Sequence, residues 1–185
     1  MIATRRIAVL VGSLRKDSLN RKMALAASSV APASLQLDIV EIGGLAHYNA
    51  DLDEGTPPAE WLAFREQVRS MQGVLFVTPE FNRSVPGALK NAIDVGSRPY
   101  GKSAWAGKPC AVISVSPGAL GAFGANHHLR QSFVFLDMPA MQQPEAYVGN
   151  AATLFDDSGT LANGATRDFL TKYMQAFAQW VERHA

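Results

Sequence analysis

In Gly12-Ser13-Leu14-Arg15-Lys16-Asp17-Ser18-Leu19-Asn20, two serine hydroxyls, a guanidinium and an amide follow directly on the apolar run Ile7 to Val11. That order of residue types suits one chemical task, the holding of an anion such as a phosphate. Gly12 lets the backbone turn tightly where a strand ends. The N–H groups of a helix opening behind it point at the anion, with the helix dipole in support. Arg15 can add a forked, charge-assisted contact, and Ser13, Ser18 and Asn20 offer neutral donors. A plain strand-to-helix turn capped by a serine has the same appearance, so the rest of the chain must decide between the two.

Other reactive residue types are sparse. Cys110 is the single cysteine, which excludes an internal disulfide, and its place in the apolar run Cys110 to Val115 marks a buried thiol rather than a nucleophile. His47, His127, His128 and His184 have no metal-ligand spacing with cysteines or carboxylates, so no metal site is expected. Lysine and arginine form no stripe and the net charge is +1, which argues against nucleic acid as a partner. Met1 to Arg6 lacks a signal-type apolar stretch and no run is long enough to span a bilayer. A cytoplasmic protein without membrane contact is the expectation.

The elements that must position the loop follow from hydrophobic patterning. Short apolar runs alternate with amphipathic stretches, the pattern of a parallel sheet covered by helices on both faces. Strands are predicted at Ile7–Val11, Leu35–Ile42, Gly73–Thr78 and Pro109–Val115, with a last one inside Met138–Tyr147, weakened by Pro139 and Pro144 and so placed at an edge. Helices are predicted over Leu19–Val30, Ala59–Met71, Pro86–Val95, Ala125–Leu136 and Thr166–Arg183, with an irregular connection over Gly43–Pro58. Five strands and five helices in alternation give a three-layer, doubly wound α/β fold of flavodoxin type with strand order 2-1-3-4-5. The 185 residues make one domain, 1–185, and the low charged fraction of 18% hints that apolar surface is covered by another subunit. Ligands of such folds bind beyond the carboxyl ends of the strands, where the winding reverses. Three loops meet there: Gly12–Asn20, Pro79–Val85 and Ser116–Gly124.

The second of these carries the most specific pattern. Thr78-Pro79-Glu80-Phe81-Asn82-Arg83-Ser84-Val85-Pro86-Gly87-Ala88-Leu89-Lys90-Asn91-Ala92-Ile93-Asp94 resembles the signature of the NAD(P)H-dependent FMN reductases, a family that includes quinone and chromate reductases and some azoreductases. Gly12-Ser13-Leu14-Arg15 with Ser18 and Asn20 matches that family's phosphate loop, and Ser116-Pro117-Gly118-Ala119-Leu120-Gly121 resembles its third cofactor loop. Gly107-Lys108-Pro109 and His128-Leu129-Arg130-Gln131 fit as well.

The resemblance implies noncovalent FMN, with NAD(P)H as co-substrate and a small-molecule electron acceptor. It implies a phosphate site at Ser13, Arg15, Ser18, Leu19 and Asn20, ring contacts from Pro79, Glu80, Phe81, Asn82 and Arg83, and flanking contacts from Ser116, Gly118 and Gly121. Hydride passes from nicotinamide to flavin N5 and on to a quinone-like acceptor in ping-pong order, with no catalytic side chain. The residue chemistry agrees. Pro79 and Phe81 offer flat apolar surface, Asn82 a donor and acceptor at a ring edge, and glycines at 118 and 121 suit a backbone that approaches a planar group. Relatives are homodimers or homotetramers, and Trp105, Phe123, Phe133 and Phe135 are candidate subunit contacts, the last two equally candidates for the core. Lys90, Asn91 and Asp94 lie beyond the loop on its helix and read as structural.

Arg83 and Phe81 depart from the residues frequent in the family, and the Gly121–Gly124 stretch lacks an arginine often found there. Reduction of free flavin, azo compounds or chromate is the alternative activity. A flavodoxin-like electron carrier fits less well, because such carriers are acidic and this chain is not. A dinucleotide-binding dehydrogenase is disfavoured because no G-x-G-x-x-G follows the first strand.

Overall fold

Three apolar runs become central strands because helices cover them on both faces. In a computed structural model, which describes residues 4–184, these are β1 (Arg5–Val11), β3 (Gly73–Thr78) and β4 (Cys110–Val115). β2 (Leu35–Ile39) and β5 (Ala146–Val148) lie at the edges. All four pairings are parallel and the order is β2-β1-β3-β4-β5, the doubly wound arrangement expected. The winding reverses between β1 and β3.

Side chains alternate across the pleat into two cores. Ile7, Val9, Leu75, Val77, Ala111 and Ile113 pack against α1 (Leu19–Ser29) and the helix at Gly164–His184. Ala8, Leu10, Val74, Phe76 and Val112 face the opposite layer. That layer contains the helices at Ala59–Arg69, Gly87–Gly96 and Phe123–Phe135. Cys110 is fully buried in it, and burial pushes its thiol well above the usual range.

Gly43–Pro58 is not wholly irregular. It contains a short helix, α2 (Ala50–Glu54), so the helices in chain order are α1, α2, α3 (Ala59–Arg69), α4 (Gly87–Gly96), α5 (Phe123–Phe135) and α6 (Gly164–His184). Asn49 caps α2 by accepting from the Asp51 N–H at 3.0 Å. Asp53 is locked to Arg65 at 2.7 Å with both side chains buried, while Arg65 Nε donates to the Val95 carbonyl and its guanidinium lies over the Trp61 ring. Asn91 fixes the same connection by accepting from the Tyr48 N–H at 2.8 Å and donating to the Ala46 carbonyl at 3.0 Å. Lys90 pairs with Asp94 one turn on. All three α4 residues serve the structure.

The two edge strands differ most from the sequence reading. β2 stops at Ile39, since an edge strand keeps only one partner and β1 supports it no further than the Val40 N–H to Val9 carbonyl bond. β5 begins at Ala146, beyond both Pro139 and Pro144, which lack the N–H that a ladder requires. Trp105, expected as a candidate subunit contact, is a core residue at 0% exposure, and Phe133 takes the core role of its two candidate roles, at 1%. Trp105 donates to the Ile93 carbonyl and lies against Gly96, where a Cβ would stand 2.5 Å from its ring. Phe123 and Phe135 are exposed.

Candidate active site

The first loop joins β1 to α1. Ser18, 3% exposed, is the N-cap of α1 and accepts from the Arg21 N–H at 3.2 Å. Among the described residues none accepts from the N–H groups of Leu19 and Asn20, which lie in the first turn where a helix leaves its donors free. Ser13 is half-buried, and Arg15 is exposed without an ion pair among the described residues. Leu19 packs partly against the core. Asn20 is 5% exposed and its Oδ1 is buried with no partner. A buried acceptor left so is costly.

Gly12 seats this loop against the next. A Cβ there would stand 3.0 Å from Thr78 Oγ1 and 3.1 Å from Pro79 Cδ, so the ends of β1 and β3 lie in tight contact at this glycine. Beyond Pro79 the second loop closes on itself. Phe81 and Ser84 exchange two backbone hydrogen bonds of 3.0 Å, and the residues between them, Asn82 and Arg83, have φ of 51° and 65°. Two left-handed residues in succession make a type I′ turn, which asparagine tolerates and arginine does not favour. Phe81, Asn82 and Arg83 are exposed at its tip, and Phe81 keeps 55% of its surface open.

Glu80 faces inward. Its Oε2 accepts from the backbone N–H of Gly124 at 2.7 Å and of Ala125 at 3.3 Å, which caps α5, while Oε1 lies 3.6 Å from the Arg83 guanidinium. Its carboxylate is thus committed within the protein. Ser84 Oγ and His128 Nδ1 form a second tie to α5 at 2.9 Å.

The third loop begins at Ser116, whose Oγ accepts from the Gly118 N–H at 3.0 Å. Gly118 is exposed, and a Cβ there would meet only the Ser116 hydroxyl, at 3.5 Å. Gly121 differs: it is buried with φ of 57°, and a Cβ would stand 2.6 Å from the Tyr147 carbonyl carbon. The backbone that makes glycine necessary here is β5, rather than a planar ligand. Beneath the loop, Ser114 Oγ donates to the Gly121 carbonyl at 2.7 Å and accepts from Asn126 Nδ2, and Arg130 Nε donates to Asn126 Oδ1. This buried network holds the loop on β4. At its outer side Tyr147 donates to Glu145 and meets His127; burial first, then that hydrogen bond, pushes the phenol up to about 12.

The structure therefore brings all three loops together, the first to the second at Gly12 and the second to the third through Glu80. Sequence reading missed the Glu80–α5 contact and the Ser84–His128 pair. The available signal was that Ala122, at the N-cap of α5, has no capping side chain. The grooves elsewhere are separate: one of about 410 Å³, lined by Arg5, Leu35, Gln175 and Gln179, opens at the opposite ends of the strands. The residues present fit a phosphate ester joined to hydroxyls. Free first-turn N–H groups and Arg15 suit the phosphate, and a ribityl hydroxyl would satisfy Asn20 Oδ1.

Comparison with known proteins agrees with this geometry. Residues 5–153 match the family model described as NADPH-dependent FMN reductase. A quinone reductase of Pseudomonas putida is 66% identical over 176 residues, covering 95% of this chain and 94% of that protein. A 2-hydroxy-1,4-benzoquinone reductase of a Burkholderia species is 46% identical over 176 residues, covering 95% and 96%. The structure of the flavoenzyme NAD(P)H:(acceptor) oxidoreductase FerB from Paracoccus denitrificans superposes with a TM-score of 0.92 at 40% identity, covering 98% of this chain and 99% of that one. The chain belongs to the NADPH-dependent FMN reductase family.

Proposed function

We propose that the chain is an FMN-dependent NAD(P)H oxidoreductase whose acceptor is a quinone, with FMN held noncovalently across the three loops. The observation that carries this reading is the close approach at Gly12, which sets the loop opening α1, with its free first-turn N–H groups, against Thr78 and Pro79 at the root of the Phe81–Ser84 turn. The quinone is favoured as acceptor because two of the relatives above are named for quinones.

In this reading Ser13, Arg15, Ser18, Leu19 and Asn20 hold the phosphate and ribityl chain. Pro79, Glu80, Phe81, Asn82 and Arg83 meet the ring, Glu80 through its backbone, and Ser116, Gly118 and Gly121 line its other side. The chemistry FMN supplies when bound is hydride transfer from the nicotinamide to the acceptor, one substrate leaving before the other enters. The chain's own work is to bind, to orient and to exclude. Its left-handed turn fixes the Asn82 amide at the tip of the second loop, and the Phe81 ring gives an incoming flat substrate an apolar edge. No side chain is assigned a proton transfer.

The chain acts as one domain over 1–185, in the cytoplasm, as a homodimer or homotetramer. The exposed apolar residues Leu14, Phe81, Leu120 and Phe123 on the loops and on the opening of α5 support association near the site. The test is an absorbance spectrum of the purified protein between about 300 and 550 nm, before and after anaerobic NADPH. Flavin bands that bleach and return on adding a quinone are expected. A colourless protein that takes up no added FMN would refute the reading.

A further inference from the structure

We propose that Glu80 is a positioning residue, clasping the second loop to the opening turn of α5 and setting both the placement of that loop and the charge beside it. The proposal rests on the cofactor reading above and goes beyond it. α5 begins after Ala122, a left-handed residue with φ of 58° and no side chain able to cap. The missing cap comes instead from Glu80, 44 residues away in sequence, through the contacts of 2.7 Å and 3.3 Å to the Gly124 and Ala125 N–H groups. The fit is close on every side. A Cβ at Gly124 would stand 2.9 Å from Glu80 Oε2 and 2.8 Å from the Arg83 carbonyl oxygen.

The turn transmits this grip. Phe81 and Ser84 are bonded to each other in both directions, so the four residues 81–84 move as a unit with Glu80. The Ser84–His128 contact ties that unit to α5 at a second point. Electrostatics adds a second role. The carboxylate sits at the positive end of α5 and beside the Arg83 guanidinium, cancelling two positive contributions next to the second loop. Its side chain is only 15% exposed, so water screens it weakly, whereas Arg83 is 75% exposed.

Two substitutions separate these roles. Glu80→Gln keeps the shape and removes the charge, which leaves the second loop more positive and favours the reduced form of bound FMN. The expected shift is about tenfold in the ratio of reduced to oxidised FMN at a fixed poise, equal to about 30 mV for a two-electron couple. Glu80→Ala removes both bonds, and the amides of Gly124 and Ala125 should exchange hydrogen at least about tenfold faster, with or without FMN. Should Glu80→Ala fail to fold, Gly124→Ala pries the same contact apart in a chain that keeps Glu80, and the Ala125 amide should respond alike. A native potential in Glu80→Gln, or native exchange in the opened variants, overturns the proposal. A chain that takes up no FMN would instead refute the cofactor reading, and the exchange measurement on the flavin-free chain would still decide the clasp.

Discussion

Replacing Arg15 by alanine separates phosphate binding from folding. The side chain is exposed and makes no ion pair among the described residues, so its removal withdraws nothing from the core. Stability should change by no more than about 0.5 kcal/mol. A guanidinium–phosphate contact contributes about 1.5–3 kcal/mol. Ordering a side chain that is free beforehand costs up to about 2 kcal/mol, of which the planar fork loses only part. The balance of about 1–2 kcal/mol corresponds to a rise in Kd of roughly 5- to 30-fold.

Titrating FMN with flavin-free protein and following flavin fluorescence gives the affinity directly. Repeating the titration at higher salt adds an independent check, because a charged contact weakens with ionic strength and the variant lacks it. Arg15→Lys keeps the charge without the fork and should fall between the two. A Kd within about twofold of the native value at both salt concentrations would refute the assignment of Arg15 to the phosphate.

Three further outcomes are expected. Asp53→Ala strands the buried Arg65 guanidinium, whose Nη2 already has no partner, and should cost about 3–5 kcal/mol in urea unfolding. Adding Arg65→Met to that variant should recover most of the loss, whereas additive losses would refute the pairing. Gly121→Ala forces a Cβ into the β5 backbone at a left-handed φ and should lose about 2–4 kcal/mol by the same measurement; a native midpoint would refute the close approach. The Asp156 carboxylate is held below the usual range, first by the Ser158 hydroxyl and then by the Thr160 N–H. A depressed carboxylate stabilises above its unfolded pKa of about 3.9 and loses that contribution as pH falls through the lower folded value. Asp156→Asn should therefore melt below the native protein at neutral pH, with the gap closing below about pH 4; a gap constant with pH would refute it.

The sheet was legible because its central strands are buried on both faces and so read as unbroken apolar runs, as in Val74 to Val77 and Cys110 to Ile113. Residues whose partners lie far along the chain were less legible. Asn49 with Asp51 and Asp53 behind it is a helix start in its own right, but Gly, Asp and Pro around it suggested a loop. Asn82 at positive φ accords with its type, whereas Arg83 at 65° is imposed by the paired backbone bonds that flank it. Glu80 read only as a ring contact because its helix partner is 44 residues away. The first loop needed no such distant information, since polar donors, the Ser18 cap and the turn glycine all fall within Gly12–Asn20.

The brevity of β5 bears on how copies of the chain can meet. Only Ala146–Val148 form the last rung of the sheet, and Pro139 and Pro144 stand in the approach to it. A margin so short offers too few free N–H and C=O groups to recruit a strand from a neighbouring molecule, and prolines nearby cannot lengthen it. Joining two sheets edge to edge across β5 is thereby discouraged, as is the runaway stacking that open margins invite. What the sheet keeps is its other edge, β2 (Leu35–Ile39), where pairing of like edges joins two copies and goes no further.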